Sequence, residues 1–169
     1  MPPRRGASGV RHHQRSPCPP LLVHAAVVLV PAAALAVVLS ALVPRFRRWS
    51  GLLTPLLATV AAGVLPLVTQ SGESLEERVT ETALMERHAD MGESLLPWAA
   101  ALAALAWVSW WLGRRTGVAG RSGGVGLLVV GLLGVVAAVG STVQVYRIGH
   151  SGAEAVWSDT GAATGGSDD

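Results

Sequence analysis

Apolar residues fall along this chain in four long runs, with charged residues confined to the segments between and beside them. The runs are LLVHAAVVLVPAAALAVVLSALV (21–43), LLTPLLATVAAGVLPLVT (52–69), LLPWAAALAALAWVSWWL (95–112) and GGVGLLVVGLLGVVAAVGSTVQVY (123–146). At 1.5 Å per residue, each is long enough to cross a hydrocarbon core of ~30 Å. None contains Asp, Glu, Lys or Arg. Four transmembrane helices are predicted. The first run is too long for the apolar part of a cleaved signal peptide, and further spans follow it.

Within the runs, small residues recur four apart, as in Ala58/Ala62, Ala99/Ala103 and Gly134/Ala138. That spacing lets helix backbones approach closely. Pro31, Pro55 and Pro66 are expected to bend their helices or lie near the ends. Trp49, Trp98, Trp110, Trp111 and Tyr146 fall near run ends, where amphipathic rings prefer the membrane–water boundary.

Between the second and third runs the pattern breaks. The stretch TQSGESLEERVTETALMERHADMGESL (69–95) holds seven carboxylates, two arginines and His88. Ser74-Leu75-Glu76-Glu77 fits a capping box, and Glu76 and Glu77 suit the positive end of a helix dipole. A helix over about 75–91, closed by Gly92, follows from these signals. Its apolar positions Leu75, Val79, Ala83 and Ala89 share one side at helical spacing. The fold class is therefore all-α: a polytopic membrane protein, a four-transmembrane-helix bundle with a short amphipathic surface helix between spans 2 and 3. The membrane domain is expected over 20–147. Disordered tails are expected at 1–19 and 159–169. A short interfacial helix is expected over 148–158, because Ser151 and Glu154 form a second capping-box pattern.

Composition agrees: half of the 169 residues are hydrophobic and 14% are charged. The chain has no lysine or asparagine, and its bias towards Ala, Gly, Val and Arg suggests a bacterial genome of high G+C content. An even number of spans puts the N-terminal tail, the acidic segment and the C-terminal tail on one side of the membrane. That side carries seven arginines and all eleven acids, a net charge of −4. The two linkers on the other side carry six arginines and no acid. The positive-inside rule then places the linkers in the cytoplasm of a bacterial cell membrane and both termini outside. The arginines flank apolar runs, so they read as membrane anchors and not as nucleic-acid contacts. Cys18 is alone, and no nucleotide, zinc-protease or nucleophile-elbow motif is present, which points away from an enzyme.

Three stretches together resemble a known family: PLLVHAAVVLVP (20–31), TQSGESLEERV with ERHADMGESLLPW (69–98), and VQVYRIGHSGAEAVW (143–157). They are similar to the bacterial membrane proteins grouped as domain of unknown function 2231, over roughly 18–158. The resemblance implies the four-span fold and no activity. A departure is that the family usually opens its first span with a His-Pro pair, where this chain has Pro19-Pro20. One candidate ligand is therefore missing. Some four-helix families of this kind resemble membrane b-type cytochromes, which makes haem b a candidate cofactor.

The histidines carry the candidate chemistry. His24 is the one strongly ionisable side chain inside a run, four positions into the first. Such residues mark functional sites or pair within a bundle. A bis-histidine haem would join His24 to His88 or His150, all on one face by the parity argument. His24 should lie about 6 Å below the interface and His88 about 10 Å above it on a continuous helix. Pairing them requires a fold at Gly92 that lays the surface helix over the bundle mouth. Glu81 and His88 are about 10.5 Å apart along a helix, too far to share a metal. Met85, His88 and Met91, spaced M-x-x-H-x-x-M, would instead suit Cu(I). The bland alternatives are methionines packed on lipid, and a His24 satisfied by Thr69, Thr142, Gln144 or a backbone carbonyl. An imidazole beside acids could also sense pH, since it titrates near neutrality.

Two functions remain in front. One is a small redox protein holding haem b or a metal. The other is a non-catalytic accessory or assembly subunit, bound to other membrane proteins or to further copies of itself within the lipid bilayer. Transport ranks below both, because ionisable groups near the midplane and an inverted repeat are lacking.

Overall fold

The computed structural model describes residues 18–76, 90–116 and 122–162. Five helices account for most of them: α1 (Cys18–Leu42), α2 (Pro44–Ser50), α3 (Leu53–Glu76), α4 (Leu95–Thr116) and α5 (Ser122–Ala162). Residues 90–93, at the edge of the described residues, are also helical and precede α4. Four helices are long and apolar enough to cross a membrane, over Leu21–Leu42, Leu53–Gln70, Asp90–Arg115 and Gly124–Ala153. The predicted four-span, all-α architecture is the one observed.

The spans close into a ring. Helix α1 packs on α3 and α5, α3 on α4, and α4 on α5, while the α1–α4 diagonal is sparse. Small side chains fill the seams: Ala26, Ala33 and Ala34 of α1, Ala58 and Ala61 of α3, Ala99 and Ala106 of α4, Ala137 and Ala138 of α5 are all buried. Larger core residues are few, and Val30 and Leu102 are fully enclosed. Alanine seams let the helices approach closely enough for dispersion contacts to hold them where lipid gives no hydrophobic drive. The bulky residues point outward instead: Leu21, Val28, Leu53, Leu128 and Leu132 are each more than 60% exposed, as a lipid-facing surface requires.

Pro31 and Pro66 lie inside α1 and α3, and Pro55 is buried in the first turn of α3. Hydroxyls supplement nearby backbone, with Thr59 donating to the Pro55 carbonyl at 2.8 Å and Thr69 to that of Pro66 at 3.0 Å.

Locally, one helix is added and two expected helix starts are corrected. The linker PRFRRWS is itself a helix, α2, started by Pro44 after an extended Val43. It ends at Gly51, whose φ of 48° and ψ of −118° suit glycine far better than any residue with a Cβ. Ser74 does not cap a new helix, because α3 continues unbroken to Glu76. Nor does a separate helix begin near Ser151. Helix α5 runs through to Ala162, and Ser151 Oγ donates to the Ile148 carbonyl at 2.9 Å. A glycine at position 149 costs a helix about 1 kcal/mol relative to alanine, too little to end it there. The body of the surface helix, including Met85 and His88, lies outside the described residues, as do both predicted tails except for the first residues of one and the last of the other.

Candidate functional site

The two ends of the bundle differ in chemistry. At the end where α1 begins, His24 is exposed on the outside of the bundle. The hydroxyls and amide expected to satisfy it are engaged elsewhere. Thr69 bonds the Pro66 carbonyl and Thr142 the Ala138 carbonyl at 2.8 Å. Gln144 Nε2 donates to Ser94 Oγ and, at 3.3 Å, to the Met91 carbonyl. Ser94 Oγ donates to that same carbonyl at 2.7 Å. This knot ties the turn at Ser94 to α5. Residues 90–93 are helical through Gly92, so the fold expected at that glycine is not seen there, and Ser94 is a single turn residue whose N–H still bonds the Asp90 carbonyl at 3.2 Å.

His150 is exposed on α5 one turn beyond Tyr146, and the two rings stack at 6.1 Å with planes 4° apart. Met91 is half-buried. Among the described residues, no three of His, Cys, Asp and Glu gather to hold a metal. The Met85–His88–Met91 and His24–His88 pairings depend on residues outside that set.

The opposite end holds a feature that sequence reasoning missed. A cavity of about 370 Å³ opens among the end of α1, α2, the start of α3 and the end of α4. Val37, Leu105 and Val130 wall its apolar side, and Arg47, Arg48 and Arg114 line its polar side. Ser40, Ser50 and Thr54 are buried there and bonded in series, Ser40 to Thr54 at 3.2 Å and Thr54 to Ser50 at 3.1 Å. Arg114 sits 4.7 Å from the centre of the Trp110 ring, a cation–π contact that holds its guanidinium at the rim. The signal in the sequence was faint. Hydroxyls at both ends of the first linker, and Ser109 before the second, mean little until the ring order of helices brings them together.

A family model described as "Predicted membrane protein (DUF2231)" matches residues 15–165. The chain belongs to this family. The match spans all four membrane helices and all three stretches that carried the resemblance. No curated protein and no solved structure matches.

Proposed function

We propose that this DUF2231 protein is a non-catalytic accessory subunit of a membrane complex, docked along the outer surface of α1. The observation that carries the reading is the outward position of His24. Ionisable side chains within spans almost always face a bundle interior or a polar partner, because an imidazole against hydrocarbon forfeits its hydrogen bonds. A neighbouring subunit, or a second copy, would supply what the described residues of this chain do not. In this reading the arginine linkers are cytoplasmic and both termini lie outside a bacterial cell membrane.

The same outward position favours a second reading, in which His24 and either His88 or His150 hold a haem b. The group would supply electron transfer, and the chain's part would be to hold it through two imidazoles.

One experiment separates the two. The tagged full chain is extracted from its own membranes in mild detergent, and its native mass and oxidised and reduced absorbance spectra are recorded beside those of His24→Ala and Val60→Ala. Val60 is exposed on α3 and serves as a control. The accessory reading expects an assembly larger than the 17.4 kDa chain, lost in His24→Ala and kept in Val60→Ala, with a featureless spectrum. A single-chain particle whose Soret band disappears in His24→Ala would replace it with the haem reading. A single-chain particle without absorbance refutes both.

A further inference from the structure

We propose that the arginine-lined cavity is a binding site for a phosphate group carried by an anionic ligand. Three guanidiniums line it, Arg47 and Arg48 from α2 and Arg114 from the end of α4. No carboxylate lines it among the described residues, and the linker segments 44–51 and 113–122 contain none in sequence. Like charges gathered at one opening repel each other, and an anion between them turns that repulsion into attraction. Guanidinium forks match phosphate oxygens bidentately, which makes arginine the preferred residue for this recognition.

The hydroxyls add direction. A threonine hydroxyl has one proton, and that of Thr54 is given to Ser50. The 3.2 Å contact between Ser40 and Thr54 is then donated by Ser40. The chain therefore runs from Ser40 through Thr54 to Ser50, and the proton at its end, on Ser50 Oγ, is left for an acceptor. Ser50 is 5% exposed and borders the cavity. Bonds in series polarise one another, so this terminal proton is a stronger donor than an isolated serine's. Gly113 lies beside the Arg47 stem, where a built Cβ would meet Nε at 3.9 Å in ordinary van der Waals contact.

Position and size indicate what carries the phosphate. The volume of about 370 Å³ falls in the range of small-molecule pockets, roughly 300–1,000 Å³. The polar lining sits where spans end, at head-group level, and Val37, Leu105 and Val130 extend the wall towards the bilayer interior. A phospholipid head group with one acyl chain along that wall satisfies both surfaces. A soluble phosphate compound would satisfy the polar one alone.

The test uses the delipidated full chain in maltoside detergent, titrated with dioleoyl-phosphatidylglycerol, with zwitterionic dioleoyl-phosphatidylcholine or with inorganic phosphate, and read by native mass spectrometry. Arg47→Gln, Arg114→Gln and Ser50→Ala are compared with Arg45→Gln, an exposed arginine of α2 that does not line the cavity. Helicity by circular dichroism selects the variants that fold. The expected result is one tightly held phosphatidylglycerol per chain. Affinity falls about tenfold in Arg47→Gln or Arg114→Gln, severalfold in Ser50→Ala, and less than twofold in Arg45→Gln. Binding of inorganic phosphate without phosphatidylglycerol upholds the site and assigns it to a soluble phosphate compound. Equal binding of the two lipids with none of phosphate overturns the proposal in favour of acyl-chain contact alone, and an equal loss in Arg45→Gln and Arg47→Gln overturns it in favour of diffuse surface charge.

Discussion

At Gly140, α4 packs directly against the backbone of α5. A Cβ built there would lie 2.3 Å from Cζ3, 2.4 Å from Cε3 and 2.8 Å from Cη2 of Trp98. Ordinary carbon–carbon contact is about 3.5–4.0 Å, so Gly140→Ala forces the indole back by more than about 1 Å. Trp98 is 40% exposed, so part of the ring can swing outward, and the strain belongs in the usual overpacking range of about 1–3 kcal/mol. Against it stands the helix preference for alanine over glycine, up to about 1 kcal/mol. The net expectation is destabilisation by about 1–2 kcal/mol. In a Trp98→Leu background the obstacle is gone and only the helix gain remains, so the coupling between the two sites should be about 2 kcal/mol. Unfolding by sodium dodecyl sulfate in mixed micelles, followed by far-ultraviolet circular dichroism, gives all four corners of the cycle. If Gly140→Ala is neutral or stabilising with Trp98 in place, the ring does not rest on Gly140 and the α4–α5 interface is wrongly described.

The other expectations probe polar ties. Thr54→Val removes the middle of the Ser40–Thr54–Ser50 chain and should destabilise the bundle by about 0.6 kcal/mol, the average for such bonds within membranes, with about 1.7 as the upper end. The same micelle titration measures it, and no change would mean that the flanking serines recover their bonds on their own helices. Gln144→Leu releases Ser94 and the Met91 carbonyl from α5. Amide hydrogen exchange over 90–96 should then rise severalfold while that of α1 stays constant, and unchanged exchange would show that the turn at Ser94 holds without the glutamine.

The spans were legible because their signal is summed over some twenty residues each, and no single misreading can erase it. Helix ends were less so, for a physical reason. A capping box reports that a helix can start at Ser74 or Ser151, but not whether the preceding backbone has left the helix, and in both places it has not. The small-residue pairs were a sound guide, since Ala58, Ala99, Gly134 and Ala138 are all buried. The cavity escaped notice because its hydroxyls at 40, 54 and 109 come from three spans, and sequence alone does not say which spans adjoin.

The seams explain why the cavity lies where it does. Along α5 a Cβ on Gly131 would reach Ala41 at 3.4 Å, and one on Gly134 would reach Val37 at 3.1 Å. So α1 and α5 stay close to the very end of α1. On the far side of that end, α2 and Gly51 carry the chain across to α3, and the helix-to-helix gap there is lined by serine and threonine. Small hydroxyl side chains leave space that leucine would fill, and arginines above them keep that space open through mutual repulsion. His24 sits sixteen residues back along α1, about 24 Å away. Between the two lies a seam of alanine and valine in close contact, with Ala26, Val30, Ala33 and Val37 all buried. A ligand at the arginine end and a partner at the histidine end therefore act on separate surfaces of one stiff bundle. Loss of either should leave binding at the other unchanged, and a Kd for phosphatidylglycerol that shifts in His24→Ala would refute that independence.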